Sequence, residues 1–199
     1  MKTAIALAFT ITAALIPAVQ AQDQRATQAG DQNVFVTGGR FIDGYIEDSF
    51  ALFDDHYEDN FFAGVGYQHF LYSYGVVSFG AEAGLGVRLG APENSAEVWA
   101  GFVTRFDLID IAGFHISPAL TTGLSLASAP VGSEPTRAEN GDDDLSPLLY
   151  YFGPEISVSH DALPDWEVLA RIQHRSGGWG SIANIDASNA VTVGLRYKF

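Results

Sequence analysis

From Ala190 to the last residue the chain alternates without a break. Val191, Val193, Leu195, Tyr197 and Phe199 fall on one side, and Ala190, Thr192, Gly194, Arg196 and Lys198 on the other. A period of two is that of an extended strand, whose successive side chains point to opposite faces. One face here is uniformly apolar, while the other mixes small residues with cations. Any fold for this chain must bury or embed the first face and give the charges of the second a place to pair.

The same pattern recurs upstream. Trp166, Val168, Ala170 and Ile172 oppose Glu167, Leu169, Arg171, Gln173 and Arg175. Phe79, Ala81, Ala83, Leu85 and Val87 oppose Ser78, Gly80, Glu82, Gly84, Gly86 and Arg88. Leu148, Tyr150, Phe152, Ile156 and Val158 oppose Glu155, Ser157 and Ser159. Eight strand-like runs can be drawn, over 33–42, 60–71, 75–90, 96–107, 111–127, 146–160, 165–175 and 189–199. Each is roughly 10 to 17 residues, longer than a typical globular strand and suited to a tilted membrane crossing.

Two architectures alternate in this way: a sandwich that buries its apolar face, and a membrane barrel that turns it to lipid. Strand length, aromatic residues gathered at run ends (Tyr67, Phe70, Tyr72, Tyr74, Trp166, Tyr197, Phe199) and the terminal Phe199 favour the barrel. The fold expected is all-β, an eight-stranded antiparallel transmembrane β-barrel. Glu82, Glu97 and Glu155 would pair with Arg88, Arg105, Arg171 and Arg196 in its lumen, Glu155 lying beside Arg171. Connections at 43–59, 91–95, 128–145 and 176–188 are mostly longer than those at 72–74, 108–110 and 161–164. That asymmetry predicts long outer loops, short periplasmic turns and both termini in the periplasm. Pro118 and Pro154 fall inside runs, where local bulges are expected.

The first 21 residues read as a secretory signal: Lys2, an apolar stretch from Ala4 to Ile16, and a small-residue site ending at Ala21. Residues 22–199 would then form the barrel domain. No mature segment is a continuous apolar run long enough for a transmembrane helix. A net charge of −14 argues against nucleic acid as a partner, and the absence of cysteine fits an exported chain that does without disulfides.

Near the C-terminus the apolar row of Trp166, Val168, Ala170 and Ile172 continues into His174 and Ser176. With the topology above, these two residues face lipid at the outer leaflet. A His beside a Ser is a general base next to a nucleophile, the pairing that ester hydrolysis needs. Gly177 and Gly178 follow, and their backbone N–H groups are candidates for an oxyanion hole. Trp179 is expected to pack over the site or join the outer aromatic girdle.

At this motif the chain resembles the lipid A 3-O-deacylase family (PagL type). Those proteins are eight-stranded outer-membrane barrels with a Ser-His-acid esterase site on the barrel exterior and an H-x-S motif late in the chain. The resemblance rests on His174-Arg175-Ser176 and its distance from the C-terminus. It implies an outer-membrane serine esterase that removes an ester-linked acyl chain from lipid A of lipopolysaccharide. Ser176 would be the nucleophile and His174 the base, with no cofactor and no metal. Where that family carries an Asn after the Ser, this chain has Gly177. The residue that orients the His is either Asp186, in the last loop, or Asn189, which shares the parity of Val191.

The other histidines, His56, His69, His115 and His160, lack metal-ligand spacing and read as structural; His115 has lumen parity. The acidic stretches at Asp54–Asp59 and Glu139–Asp144 read as solvated outer loops. A rival reading is a non-catalytic small outer-membrane barrel with a structural or adhesive role exerted through those loops.

Overall fold

In the computed structural model, residues 31–50, 57–140, 146–183, 185 and 188–199 are described. The segment 1–21, Asp186, and the acidic residues Asp54, Asp55 and Asp142–Asp144 lie outside them.

Nine strands follow in order: β1 Gln32–Ile42, β2 Tyr57–Tyr74, β3 Val77–Leu89, β4 Ser95–Phe106, β5 Ile109–Ile111, β6 Phe114–Ala127, β7 Leu148–His160, β8 Leu163–Ser176 and β9 Ser188–Lys198. All pairings are antiparallel, in the spatial order β4-β3-β2-β1-β9-β8-β7-β6. Pairing of β4 with β6 closes the ring, so eight strands make a barrel. The ninth, β5, is a short hairpin arm against the start of β6. The expected run 111–127 is thus broken by a turn at Ala112 and Gly113, both at positive φ. The wall strand begins only at Phe114.

Closure leaves no edge strand to place the prolines on, yet neither one bulges the sheet. The β6–β7 ladder keeps a single register past both Pro118 and Pro154, which corrects the expectation of bulges. At Pro118 the pairing with β4 has already ended, its last pair being Arg105–Ala119. Around Pro154 the β7–β8 ladder skips Gly153 and Pro154 and resumes in the same register at Glu155–Arg171. A proline lacks only a donor, so it can be accommodated by an omitted rung. The register shifts that do occur lie between Arg40 and Ile42, between Phe70 and Tyr72, and between Val158 and His160.

The two faces separate cleanly. Val36, Val65, Leu85, Val87, Phe102, Ile156, Val168 and Val193 point outward and are exposed. The lumen holds charge in linked pairs. Arg171 binds Glu82 and, at 3.1 Å, Glu155. Arg196 reaches Glu155 at 2.6 Å and Glu167 at 2.9 Å, and Arg105 reaches Glu167 at 2.7 Å. Higher up, Arg88 pairs with Glu97 at 3.4 Å. An exterior of exposed Val, Leu and Phe around a charged interior inverts a soluble protein, and matches a barrel whose outer wall is lipid-facing.

The lumen is also more aromatic than small-residue patterning suggests. Phe35, Phe41, Phe62, Trp99 and Tyr151 are buried in it with Leu169 and Val131. The glycines of β2 and β3 are the counterpart. A Cβ on Gly66 would strike the Phe35 ring, and one on Gly84 the Trp99 ring. Large rings fit where the facing wall has no side chain.

Both termini of the barrel and the short turn 161–162 lie at one end, with the β2–β3 turn. The opposite end carries the connections 43–56, 90–94, 128–147 and 177–187, as the loop-length asymmetry led one to expect. Within 128–147 the helix α1 Glu134–Asn140 caps the lumen: Glu134 is buried and binds Arg88 and, at 3.0 Å, Arg175.

Candidate functional site

On β8, the residues Glu167, Leu169, Arg171, Gln173 and Arg175 are buried in the lumen. The intervening Trp166, Val168, Ala170, Ile172, His174 and Ser176 therefore occupy the outer face, the last two at the loop-rich end. The register across four strands sets one rung there: Phe152 of β7, His174 of β8, Asn189 of β9 and Ile42 of β1.

Within that rung the His174 Nδ1 lies 2.6 Å from the Asn189 Oδ1. The Asn189 amide is itself oriented, because its Nδ2 donates to the Gly44 carbonyl at 2.8 Å. An amide nitrogen can only donate, so Oδ1 is the atom left to face the ring. That oxygen can only accept. Nδ1 must then carry the proton, and Nε2 is left with its lone pair. This is the tautomer that a general base requires. The Phe152 ring meets the imidazole edge-on, 6.1 Å between centroids, and limits its rotation.

His174 is only 8 % exposed, whereas Trp166 and Val168 in the same outward row are 48 % and 59 % exposed. The difference follows from its level on the wall. The segment after β1, including the 3-10 turn Ile46–Phe50, leans back over β9 and is tied there by the Asn189–Gly44 bond. The segment is stiffened by Tyr45 N–H donating to Asp48 Oδ2 at 2.7 Å, and by Asp48 N–H donating to the Tyr45 carbonyl at 3.1 Å. Arg137 of α1 reaches the same place, 3.3 Å from Asp43 and 5.8 Å over the Tyr45 ring.

Ser176 shares the outward parity of His174, two residues on, and is half-buried. No hydrogen bond joins its hydroxyl to His174 among the described residues; such bonds are often long without substrate. The two glycines differ. The Gly177 N–H donates to the Ile185 carbonyl at 3.0 Å, so it is already committed to the loop. That corrects the expectation of two free donors. The Gly178 N–H has no partner among the described residues, and Gly178 adopts φ +63°, where a side chain is strained. Trp179 follows at φ +55° and is fully exposed, which rules out the first of its two expected places, packed over the site, and leaves the outer girdle. Asp186, the other candidate partner for His174, lies outside the described residues.

Other sequence candidates fall elsewhere. His115 sits at the turn end of β6, 2.5 Å from Asp110 and 2.8 Å from Asp161, at the opposite end from His174. Among the described residues no three His, Cys, Asp or Glu side chains converge as a metal site. Sequence reasoning missed the role of Gly44, which has no local signal.

Comparison with known proteins places this architecture. The chain is similar to the outer membrane enzyme PagL, at 11% identity over 84% of this chain and 99% of that one, with a TM-score of 0.59. It is also similar to Neisserial surface protein A (NspA), at 14% identity over 87% and 100%, with a TM-score of 0.53. A de novo designed transmembrane β-barrel matches at 13% identity over 87% and 98%, with a TM-score of 0.50. The fold is therefore the closed eight-stranded antiparallel barrel of outer-membrane proteins. An enzyme, a surface protein and a designed barrel share it, so the fold carries either a catalytic or a structural role. No protein-family model matches the chain, and no curated protein sequence matches it.

Proposed function

We propose that this protein is an outer-membrane serine esterase that removes an ester-linked acyl chain from lipid A. The observation that carries the reading is the His174–Asn189 pair at 2.6 Å, with Ser176 two residues on, at the outer end of a lipid-facing row. A polar dyad in that row is costly unless it meets a polar group of the lipid, and in this reading that group is the ester carbonyl of a glycolipid.

In this reading the Ser176 Oγ attacks the ester carbonyl carbon as His174 Nε2 takes its proton. Asn189 holds the ring in the required tautomer. The negative charge that develops on the carbonyl oxygen is met by the Gly178 N–H. Collapse of the tetrahedral intermediate breaks the ester C–O bond, and the sugar oxygen leaves with the proton held by His174. Water, deprotonated by the same nitrogen, then releases the fatty acid and restores Ser176. No cofactor enters. An Asn orients imidazole but stabilises imidazolium less than a carboxylate would, so a slow enzyme is expected.

The test is the mass of lipid A from cells with and without the protein. Loss of one acyl chain with wild type, and none with Ser176→Ala at equal barrel content, is the expected outcome. His174→Asn should behave nearly as Ser176→Ala. Asn189→Ala should lose part of the general-base contribution, which is typically ~10²–10⁴ in rate. Lipid A of unchanged mass with the wild-type barrel correctly inserted would leave the non-catalytic barrel as the reading.

A further inference from the structure

Charge and glycine are both nearly absent from the outer wall. In the outward-facing rows of the eight wall strands, among the described residues, only Arg40 and Asp59 are charged. Among the same residues only one glycine has outward parity, Gly38. The other described glycines of the wall strands have inward parity, as Gly66 and Gly84 do against the lumen rings. The one outward cation and the one outward glycine are consecutive members of a single row on β1: Val36, Gly38, Arg40.

The Arg40 head leans over β2. Its Nε and Nη2 donate to the Glu58 carbonyl at 3.1 and 2.8 Å, and it lies over the Tyr57 and Phe61 rings. These contacts fix the plane of the guanidinium, and Nη1 has no partner among the described residues. Nη2 also reaches Asp59 at 3.1 Å, but that carboxylate is fully exposed. A solvent-exposed ion pair is weak, so a phosphate, with more charge and more acceptors, can take its place at little cost. A cation on a lipid-facing wall is tolerated near the interface and not at mid-depth, which sets Arg40 at the level of the headgroups.

One step toward the middle of the wall, roughly 7 Å along the strand, the surface thins. There Gly38 pairs with Ala63 of β2 and Val193 of β9. A Cβ on Gly38 would meet nothing nearer than the Phe62 carbonyl oxygen at 3.7 Å, so the position is open. Gly38 and Ala63 leave a shallow trough two strands wide, and Val36, Val65 and Val193 stand exposed around it. A methylene chain laid in such a trough gains contacts along its flanks that a flat wall does not offer. A cation at headgroup level above a trough at acyl depth has the outline of one lipid molecule.

We propose that Arg40, Gly38 and Ala63 form a holding site for one acylated, phosphate-bearing lipid of the outer leaflet. Its phosphate sits on the Arg40 guanidinium and one acyl chain lies in the Gly38–Ala63 trough. The site belongs to β1 and β2, whereas Ser176 is on β8, so it stands apart from the esterase reading and does not depend on it.

The experiment uses the full barrel in detergent and native mass spectrometry, with bis-phosphorylated lipid A, its enzymatically dephosphorylated form and inorganic phosphate as probes. Every form tested carries Ser176→Ala, so that the probe keeps its acyl chains, and heat-modifiable gel migration confirms that each is folded. The phosphorylated lipid should bind on the order of tenfold tighter than the dephosphorylated one. Arg40→Gln should remove most of that preference and leave the dephosphorylated lipid unaffected. Asp59→Asn should tighten the phosphorylated lipid, because the competing carboxylate is gone. Gly38 is not at positive φ, so Gly38→Leu is accepted by the backbone; it should fill the trough and weaken both lipids alike. A preference that survives Arg40→Gln, or weaker binding in Asp59→Asn, overturns the headgroup contact. Full affinity for both lipids in Gly38→Leu overturns the acyl trough. Displacement of the lipid by inorganic phosphate at equal concentration makes Arg40 a free-anion site and overturns the proposal.

Discussion

Replacing Arg171 with Met tests whether the lumen is a dry ionic core or a wet channel. Among the described residues Arg171 is the sole cation on Glu82; Glu155, its second partner, keeps Arg196 at 2.6 Å. All three side chains are essentially inaccessible to solvent. Removing one member of a buried ion pair costs about 3–5 kcal/mol, because the survivor stays charged and buried. Glu82 would retain three neutral donors at 2.7 Å, Gln68 Nε2, Thr121 Oγ1 and Trp99 Nε1, so the lower end of that range is expected. The Tyr151 hydroxyl, which accepts from Arg171 Nε at 3.1 Å, would still donate to Gln173 at 2.7 Å. Equilibrium urea unfolding in phospholipid vesicles, followed by circular dichroism, measures the loss. Adding Glu82→Gln to Arg171→Met should restore about 2 kcal/mol, since the orphaned charge is what costs. A loss under about 1 kcal/mol, with no recovery in the double variant, would mean that water reaches Glu82, and the dry-lumen argument would fail.

Two other outcomes follow from the loop end of the barrel. Burial opposes ionisation of Glu134, but Arg88 and Arg175 hold its carboxyl below the ordinary carboxylate range. A depressed carboxylate contributes stability that is present above its unfolded value, about 4.3, and lost as pH falls through the folded one. Protection of α1 amides from hydrogen exchange should therefore persist at pH 5 and fall only in more acid solution; loss between pH 7 and pH 6 would count against the latch. At Gly178, whose φ is +63°, alanine should cost about 1–2 kcal/mol and press on the Tyr150 ring. Alanine keeps the N–H but not readily its direction, so deacylation should fall by up to the ~10²–10³ of a lost oxyanion donor as φ relaxes, with the barrel still heat-modifiable; unchanged turnover despite the stability loss would count against that donor.

Parity is local, and that is why so much of the wall was readable. Once Val191 is outward, Asn189 must be, and once Val168 is outward, His174 and Ser176 must be; the strands leave no other choice. The same logic put Glu155 beside Arg171, because neighbouring strands with known inward rows bring their charges to one depth. A loop residue has no parity, so Asp186 could not be ranked against Asn189 from spacing, whereas the antiparallel register sets Asn189 directly across from His174. What was not readable depends on chain segments far apart. Nothing near Gly44 announces that its carbonyl would orient an amide 145 positions later, and nothing in Glu134 announces that it would be buried between two arginines of the wall. The aromatic lumen lies between these cases. Phe35, Phe62 and Trp99 carry inward parity in their own runs, but room for them exists only because Gly66, Gly86 and Gly84 face them. Each glycine looked like generic small-residue filling until closure set which ring it met. A site on the outer wall thus inherits its direction from local alternation and its chemistry from distant loops. The direction of His174 follows from four residues of β8, while its tautomer depends on a backbone oxygen beyond the end of β1.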